Sequence, residues 1–254
     1  MNTHPPATQR LRLDELLVRR GLFATRSRAR DAVMRGGVRV DGRPAAKPGQ
    51  PTGEDAAIEV DDPARAYVSR AALKLIAGLE AFGLDPQGAF ALDVGASTGG
   101  FTQVLLERGA AHVVTLDVGH GQLDPRLAAD PRVTALEKLN ARDLTAGHLG
   151  GRRPGFVVSD VSFISLRLAL PPALDLAAPG ARCVLLVKPQ FEAGRAAVGK
   201  GGLLRDPADG ERIAAALAAW LDERSGWRAL GIAPSPIEGG DGNREFLLAG
   251  TRDG

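Results

Sequence analysis

The sequence predicts an α/β protein in which a doubly wound, Rossmann-like parallel sheet follows a small α+β module. Three observations predict it. From residue 69 onward, apolar runs of strand length that end in polar groups alternate with helical segments. One of those runs passes directly into a glycine turn and a helix, the unit that opens nucleotide-binding sheets. Positive charge is confined to the N-terminal part: residues 1–50 hold eleven Lys or Arg against four Asp or Glu, residues 51–62 carry five acids and no base, and residues 63–254 hold 21 of each. The formal net charge of +2 therefore conceals a basic module suited to a polyanion.

Composition narrows the function classes. A chain of 254 residues, 44% hydrophobic and 24% charged, can bury a core and is neither disordered nor fibrous. Its longest nearly apolar stretch, residues 213–221, is nine residues long, against the roughly 20 that a membrane-spanning helix needs. Residues 1–10 carry two prolines and no apolar core of the secretory type, which predicts a cytoplasmic protein. The single cysteine, Cys183, forms no internal disulfide, and four scattered histidines supply no metal site.

In the basic module, leucines at 13, 16 and 17 predict a first helix over residues 11–20, stopped by Gly21. Thr25 caps a second helix over residues 26–35, with Ala29, Ala32 and Val33 on its inner face and arginines on both margins. Residues 38–40, the turn Asp41-Gly42 and residues 57–60 predict a small sheet. The turn-forming KPGQPTG at 47–53 and the hinge-like DDP at 61–63 divide the chain into domains 10–62 and 63–254. The stretch RLDELLVRRGLFATRSRARDAVMRGGVRVDGRPAAKPG resembles the RNA-binding domain named after ribosomal protein S-four. That resemblance implies a surface for structured RNA to which Arg26, Arg28, Arg30, Arg35 and Arg39 contribute.

In the large domain, residues 69–83 predict a helix, residues 89–94 a buried strand, GASTGG at 95–100 a turn and residues 101–108 a helix. Residues 112–117, 156–160 and 183–188 predict further strands, and residues 245–249 a final one. Three nucleotide sites compete for the glycines. The turn reads G-x-x-x-G-G and not the G-x-G-x-x-G of dinucleotide enzymes. GRAAVGK at 194–200 matches a phosphate loop until Gly201 stands where a magnesium-binding Ser or Thr belongs. S-adenosylmethionine fits best: Asp93, Gly95, Ser97 and Gly99 line a backbone approach to its methionine part, and Asp117 accepts from both ribose hydroxyls.

Lys74 on the first helix, Asp160 and Lys188 at strand ends and Glu245 at the last strand converge, in such a sheet, over one mouth. A ribose 2′-hydroxyl is a weak acid, and its methylation needs a base or steering group beside the oxygen. Lys188 is expected to act on the hydroxyl and Lys74 to orient it, with Asp160 and Glu245 anchoring the lysines.

The blocks SRAALKL, LDVGASTGGFTQVLL, SDVSFISL, VKPQFEAGR and GKGG resemble the TlyA family, haemolysin-named ribosomal RNA methyltransferases that join the small RNA-binding domain to an FtsJ-like catalytic domain. The resemblance implies S-adenosylmethionine as cofactor, 2′-O-methylation of cytidine in ribosomal RNA or ribosomal subunits, and a Lys74, Asp160, Lys188, Glu245 tetrad. It also implies Asn140 beside the adenine. Rival classes are a pore-forming haemolysin, for which the apolar segments are short and interrupted, and a catalytically silent ribosome-assembly factor. A base methyltransferase would use a cysteine or an Asn/Asp-Pro-Pro-aromatic loop, whereas Cys183 opens a buried strand and Asp160 precedes Val-Ser-Phe.

Overall fold

The computed structural model describes residues 10–240 and 242–254; the expectations for residues 1–9 lie outside them. The chain divides into two compact units after Ala66.

The first unit contains β1 (Arg10–Arg12), α1 (Leu13–Arg19), α2 (Arg26–Met34), β2 (Val38–Val40), β3 (Arg43–Pro44), β4 (Pro51–Gly53) and β5 (Ile58–Val60). Its core is Leu13, Leu17, Phe23, Ala29, Ala32, Val33 and Val38, the inner faces of both helices and of β2. The first helix begins at Leu13 and not at residue 11, because Leu11 pairs with Thr52 in a two-stranded ribbon. A partner some forty residues away leaves no mark on local periodicity. Thr25 caps α2 as expected, its hydroxyl accepting the Arg28 N–H at 3.3 Å. The DDP segment is anchored within the first unit. The Asp61 N–H donates to Gly37 O, Arg35 donates to the buried Asp62 carboxylate at 2.8 Å, and Pro63–Ala66 forms a 3₁₀ turn.

The second unit contains α3 (Ala72–Phe82), β6 (Phe90–Val94), α4 (Gly100–Glu107), β7 (His112–Asp117), α5 (Pro125–Ala128), β8 (Val133–Glu137) and β9 (Phe156–Ser159). It continues through α6 (Leu166–Ala169), α7 (Pro171–Leu176), β10 (Arg182–Val187), α8 (Pro189–Glu192), α9 (Asp209–Asp222), β11 (Trp227–Pro234) and β12 (Phe246–Arg252). These strands form one sheet in the order β11-β12-β10-β9-β6-β7-β8. β12 alone runs against the others, inserted between β10 and β11. Apolar clusters cover both faces, one holding Leu75, Leu79, Phe101 and Leu105, the other Leu170, Leu174, Leu217 and Leu221. Burial on both faces is what near-continuous apolar strands such as FVVS and RCVLLV require.

The chain runs from β6 outward to β7 and β8, then crosses back to β9 and β10 on the other side of β6. That reversal opens a crevice beyond the carboxyl ends of β6 and β9, where sheets of this kind bind ligands.

Candidate active site

β6 and β9 stay bonded up to the floor of the crevice: the Asp160 N–H donates to Val94 O at 3.0 Å. Directly beyond, Gly95 turns at φ 83, and a Cβ there would lie 3.0 Å from Asp160 O. Gly99, the N-cap of α4, sits at φ 94, where a Cβ would come within 2.4 Å of Leu127 and 2.7 Å of Leu123. The demand for glycine at 99 thus has a backbone cause, its positive φ, to which the nearby leucine side chains add, beyond the ligand approach expected from the sequence.

Two adjoining cavities share Gly95, Ser97, Asp160 and Ser162. The larger, about 520 Å³, has apolar walls including Leu116, Val118, Val161 and Ile164, with Asp117 and Asn140 among its polar lining. The carboxylate of Asp117 accepts N–H groups from Ser97 and Gly119, both at 2.8 Å, which fixes its orientation at the end of β7. Asn140 uses its side-chain oxygen to cap the following turn through the Arg142 N–H at 3.1 Å. The smaller cavity, about 170 Å³, reaches Ser69, Asp93, Thr98 and Lys188.

Asp93 is fully buried under the glycine turn. Its Oδ2 accepts the Thr102 hydroxyl at 2.7 Å, whereas Oδ1 has no hydrogen-bond partner among the described residues. Burial pushes this carboxyl from an ordinary 3.8 up to about 7, the Thr102 bond opposing the shift and the nearby Asp160 and Asp117 adding to it. Between about pH 4 and 7 the folded protein holds a proton that the unfolded chain has released, so stability falls as pH rises, by up to about 4 kcal/mol. Asp93→Asn removes that slope. Urea unfolding midpoints across the same window fall more steeply for the wild type than for the variant, and parallel curves would refute the assignment.

At the mouth, Lys188 Nζ lies 2.6 Å from Asp160 Oδ1 and donates to Ser162 Oγ at 2.7 Å. Lys74, from α3, meets Glu245 at 2.5 Å, both side chains buried. Glu245 precedes β12 and does not open it, since pairing starts with Phe246 opposite Val187. Because that register is antiparallel, one step further brings Glu245 level with Lys188 at the carboxyl end of β10. The four polar groups therefore sit as two lysine–carboxylate pairs, one between the ends of β9 and β10 and the other between α3 and the residue that precedes β12.

Other groups at this end carry weak sequence signals. Buried Asn243 donates to Gly202 O at 2.8 Å and accepts the Leu204 N–H at 3.1 Å, tying the loop that follows the phosphate-loop lookalike to the approach to Glu245. Phe163 is 90% exposed with φ 65, its ring 5.0 Å from that of Phe191. A lone polar or aromatic residue in a loop has no periodicity to betray it. Cys183 is fully buried on β10, and desolvation pushes its thiol far above the ordinary range.

In the first unit the five arginines have unequal surroundings. Arg35, 19% exposed in its side chain, is held by Asp62 and buttresses the fold. Arg26 reaches the buried Asp14 carboxylate at 3.3 Å, where Arg12 is the main influence holding that acid below its usual range. Arg28 donates to Ala64 O, and Arg39 to Gly42 O at 3.3 Å. Arg30 and Arg39 are exposed.

Residues 67–252 match the FtsJ-like methyltransferase family and residues 11–58 match the S4 domain. The 16S/23S rRNA (cytidine-2′-O)-methyltransferase TlyA of Mycobacterium tuberculosis is 49% identical over 94% of this chain and 89% of its own length. Hemolysin A of Brachyspira hyodysenteriae is 39% identical over 93% of this chain and 98% of its own. The solved structure of a hemolysin-named protein from Streptococcus thermophilus superposes with a TM-score of 0.74 at 38% identity, over 97% of this chain and 90% of that one.

Proposed function

Because the chain belongs to the FtsJ-like methyltransferases and carries an S4 domain, we propose that it methylates a ribose 2′-hydroxyl of cytidine in ribosomal RNA, with S-adenosylmethionine as cofactor. The observation that carries this reading is Lys188, held by Asp160 and Ser162 where the two cavities join. S-adenosylmethionine, when bound, supplies a methyl group on a sulfonium centre, whose sulfur keeps the electron pair of the broken bond. The residues present fit that cofactor. Asp117 is an oriented acceptor for ribose hydroxyls, the apolar walls suit an adenine, and the unpartnered Oδ1 of Asp93 is a buried acceptor suited to the ammonium of the methionine part.

Lys188 takes up the proton that the 2′-oxygen releases as it gains the methyl group. Asp160 keeps a negative charge beside the resulting ammonium. The Lys74–Glu245 pair supports the same strand ends and steers the hydroxyl. Phe163, exposed at the rim, offers a ring on which an unstacked base can lie. The S4 domain brings structured RNA through the exposed margin of α2 and the β2 turn, with the substrate setting the place of action at ribosomes in the cytoplasm.

A base-methylating reading lacks its nucleophile, since Cys183 is enclosed and its thiol held protonated. For membrane lysis, no helix among the described residues is long and apolar enough to cross a bilayer. The deciding experiment incubates ribosomal subunits with the protein and isotope-labelled S-adenosylmethionine and analyses the nucleosides by mass spectrometry. Label on the ribose of cytidine is expected. Label on a base would overturn the proposed chemistry, and no label on either subunit would favour a silent RNA-binding factor.

A further inference from the structure

We propose that Ser162 is a positioning residue for this reaction, its hydroxyl setting the direction in which Lys188 presents its nitrogen lone pair. The inference rests on the functional reading above and goes beyond the tetrad. Nζ of Lys188 has two close oxygens of different kinds. Its contact with Ser162 Oγ at 2.7 Å is a directed hydrogen bond. Its contact with Asp160 Oδ1 at 2.6 Å is an ion pair, and that oxygen has no hydrogen-bond partner among the described residues. Asp160 therefore supplies charge and Ser162 supplies direction.

Direction matters because a lysine head is a point charge on a flexible four-carbon stem, free to turn about its last bond. An ion pair alone holds Nζ in place without choosing which tetrahedral position holds the lone pair. Once Ser162 claims one N–H and Asp160 attracts another, the lone pair of the neutral amine is left for the third direction. Ser162 borders both cavities and is itself exposed, so it stands where the substrate hydroxyl has to arrive. The side chain is carried by the segment after β9, and its hydroxyl meets Lys188 in an exposed place, which separates its role from that of the buried Lys74–Glu245 pair.

The test uses the full chain with ribosomal subunits and labelled S-adenosylmethionine, comparing Ser162→Ala, Ser162→Thr and Asp160→Asn. Loss of one hydrogen bond to a charged group predicts a fall in kcat of about tenfold to a hundredfold for Ser162→Ala. KM for the subunits and the cofactor Kd, measured by titration calorimetry, stay within about twofold of wild type. The pH at which activity is half-maximal moves down only slightly for Ser162→Ala, which loses a neutral acceptor, and further for Asp160→Asn, which loses a full charge. Ser162→Thr, keeping the hydroxyl, restores most of the rate. Wild-type kcat in Ser162→Ala overturns the proposal, as does a pH midpoint that moves as far as in Asp160→Asn. Should Ser162→Ala fail to bind cofactor, Ser162→Thr decides, an inactive but cofactor-binding Thr variant counting against the proposal and an active one for it. A wild-type protein that places no label on ribose would instead overturn the functional reading itself.

Discussion

Lys188→Ala lowers the rate of methyl transfer by about 10²–10⁴-fold, the range for loss of a positioned general base, while cofactor affinity stays near that of the wild type. The split follows from where the side chain lies. Lys188 lines the smaller cavity and is tied to Asp160 and Ser162, which border both, whereas the larger cavity is walled by residues of other elements. Removing the amine leaves those walls intact. Lys188→Arg separates the two ways a lysine can help. A guanidinium retains positive charge but cannot take up a proton at any ordinary pH, so an arginine variant as slow as the alanine variant identifies proton acceptance as the missing step. An arginine variant with most of the wild-type rate would show instead that Lys188 acts by charge alone. Single-turnover transfer of labelled methyl groups to ribosomal subunits measures both cases, and calorimetric titration with S-adenosylmethionine checks that the cavity is unchanged.

The parts of this fold legible in the sequence are those set by local chemistry. Apolar runs buried on both faces announce β6, β7, β9 and β10, and the glycine turn announces the crevice. What escaped notice depends on distant partners. β1 is three residues long and exists because Pro51–Gly53 lies beside it. β11 presents Leu230 and Ile232 outward while Ala229, Gly231 and Ala233 lie on the less exposed side, so its alternation runs opposite to the usual apolar-in pattern, and a bulge between Ala229 and Gly231 interrupts it. The site divides in the same way. Lysines and carboxylates near strand ends can be placed by topology before any coordinates exist, but Ser162 is one hydroxyl in a loop, and only the 2.7 Å contact with Lys188 distinguishes it. Arg35 likewise depends on a distant partner. Its place on an arginine-lined helix suggests an RNA contact, yet the three-dimensional arrangement turns it onto Asp62, twenty-seven residues later in the chain.

Glu245→Ala destabilises the protein by about 3–5 kcal/mol, because Lys74 is left with an uncompensated charge in a buried place. The side chains of Lys74 and Glu245 are only 7% and 3% exposed, so solvent cannot replace the lost partner. The same reasoning makes Lys74→Ala comparably damaging. Removing both charges behaves differently: Lys74→Met with Glu245→Leu fills the same volume with apolar groups, escapes the desolvation penalty of two ions, and lies within about 1 kcal/mol of wild type or above it. Urea unfolding of the wild type, Lys74→Met, Glu245→Leu and the double variant closes the cycle. Additive losses in the double variant would mean that the two side chains stabilise the fold through separate contacts and not through their 2.5 Å pairing. The cycle also isolates function from folding. Glu245 stands level with Lys188 across the β10–β12 register, so a double variant that is as stable as wild type, binds cofactor and still transfers no methyl group places the Lys74–Glu245 pair in the chemistry, and an active one confines it to holding α3 against the strand ends.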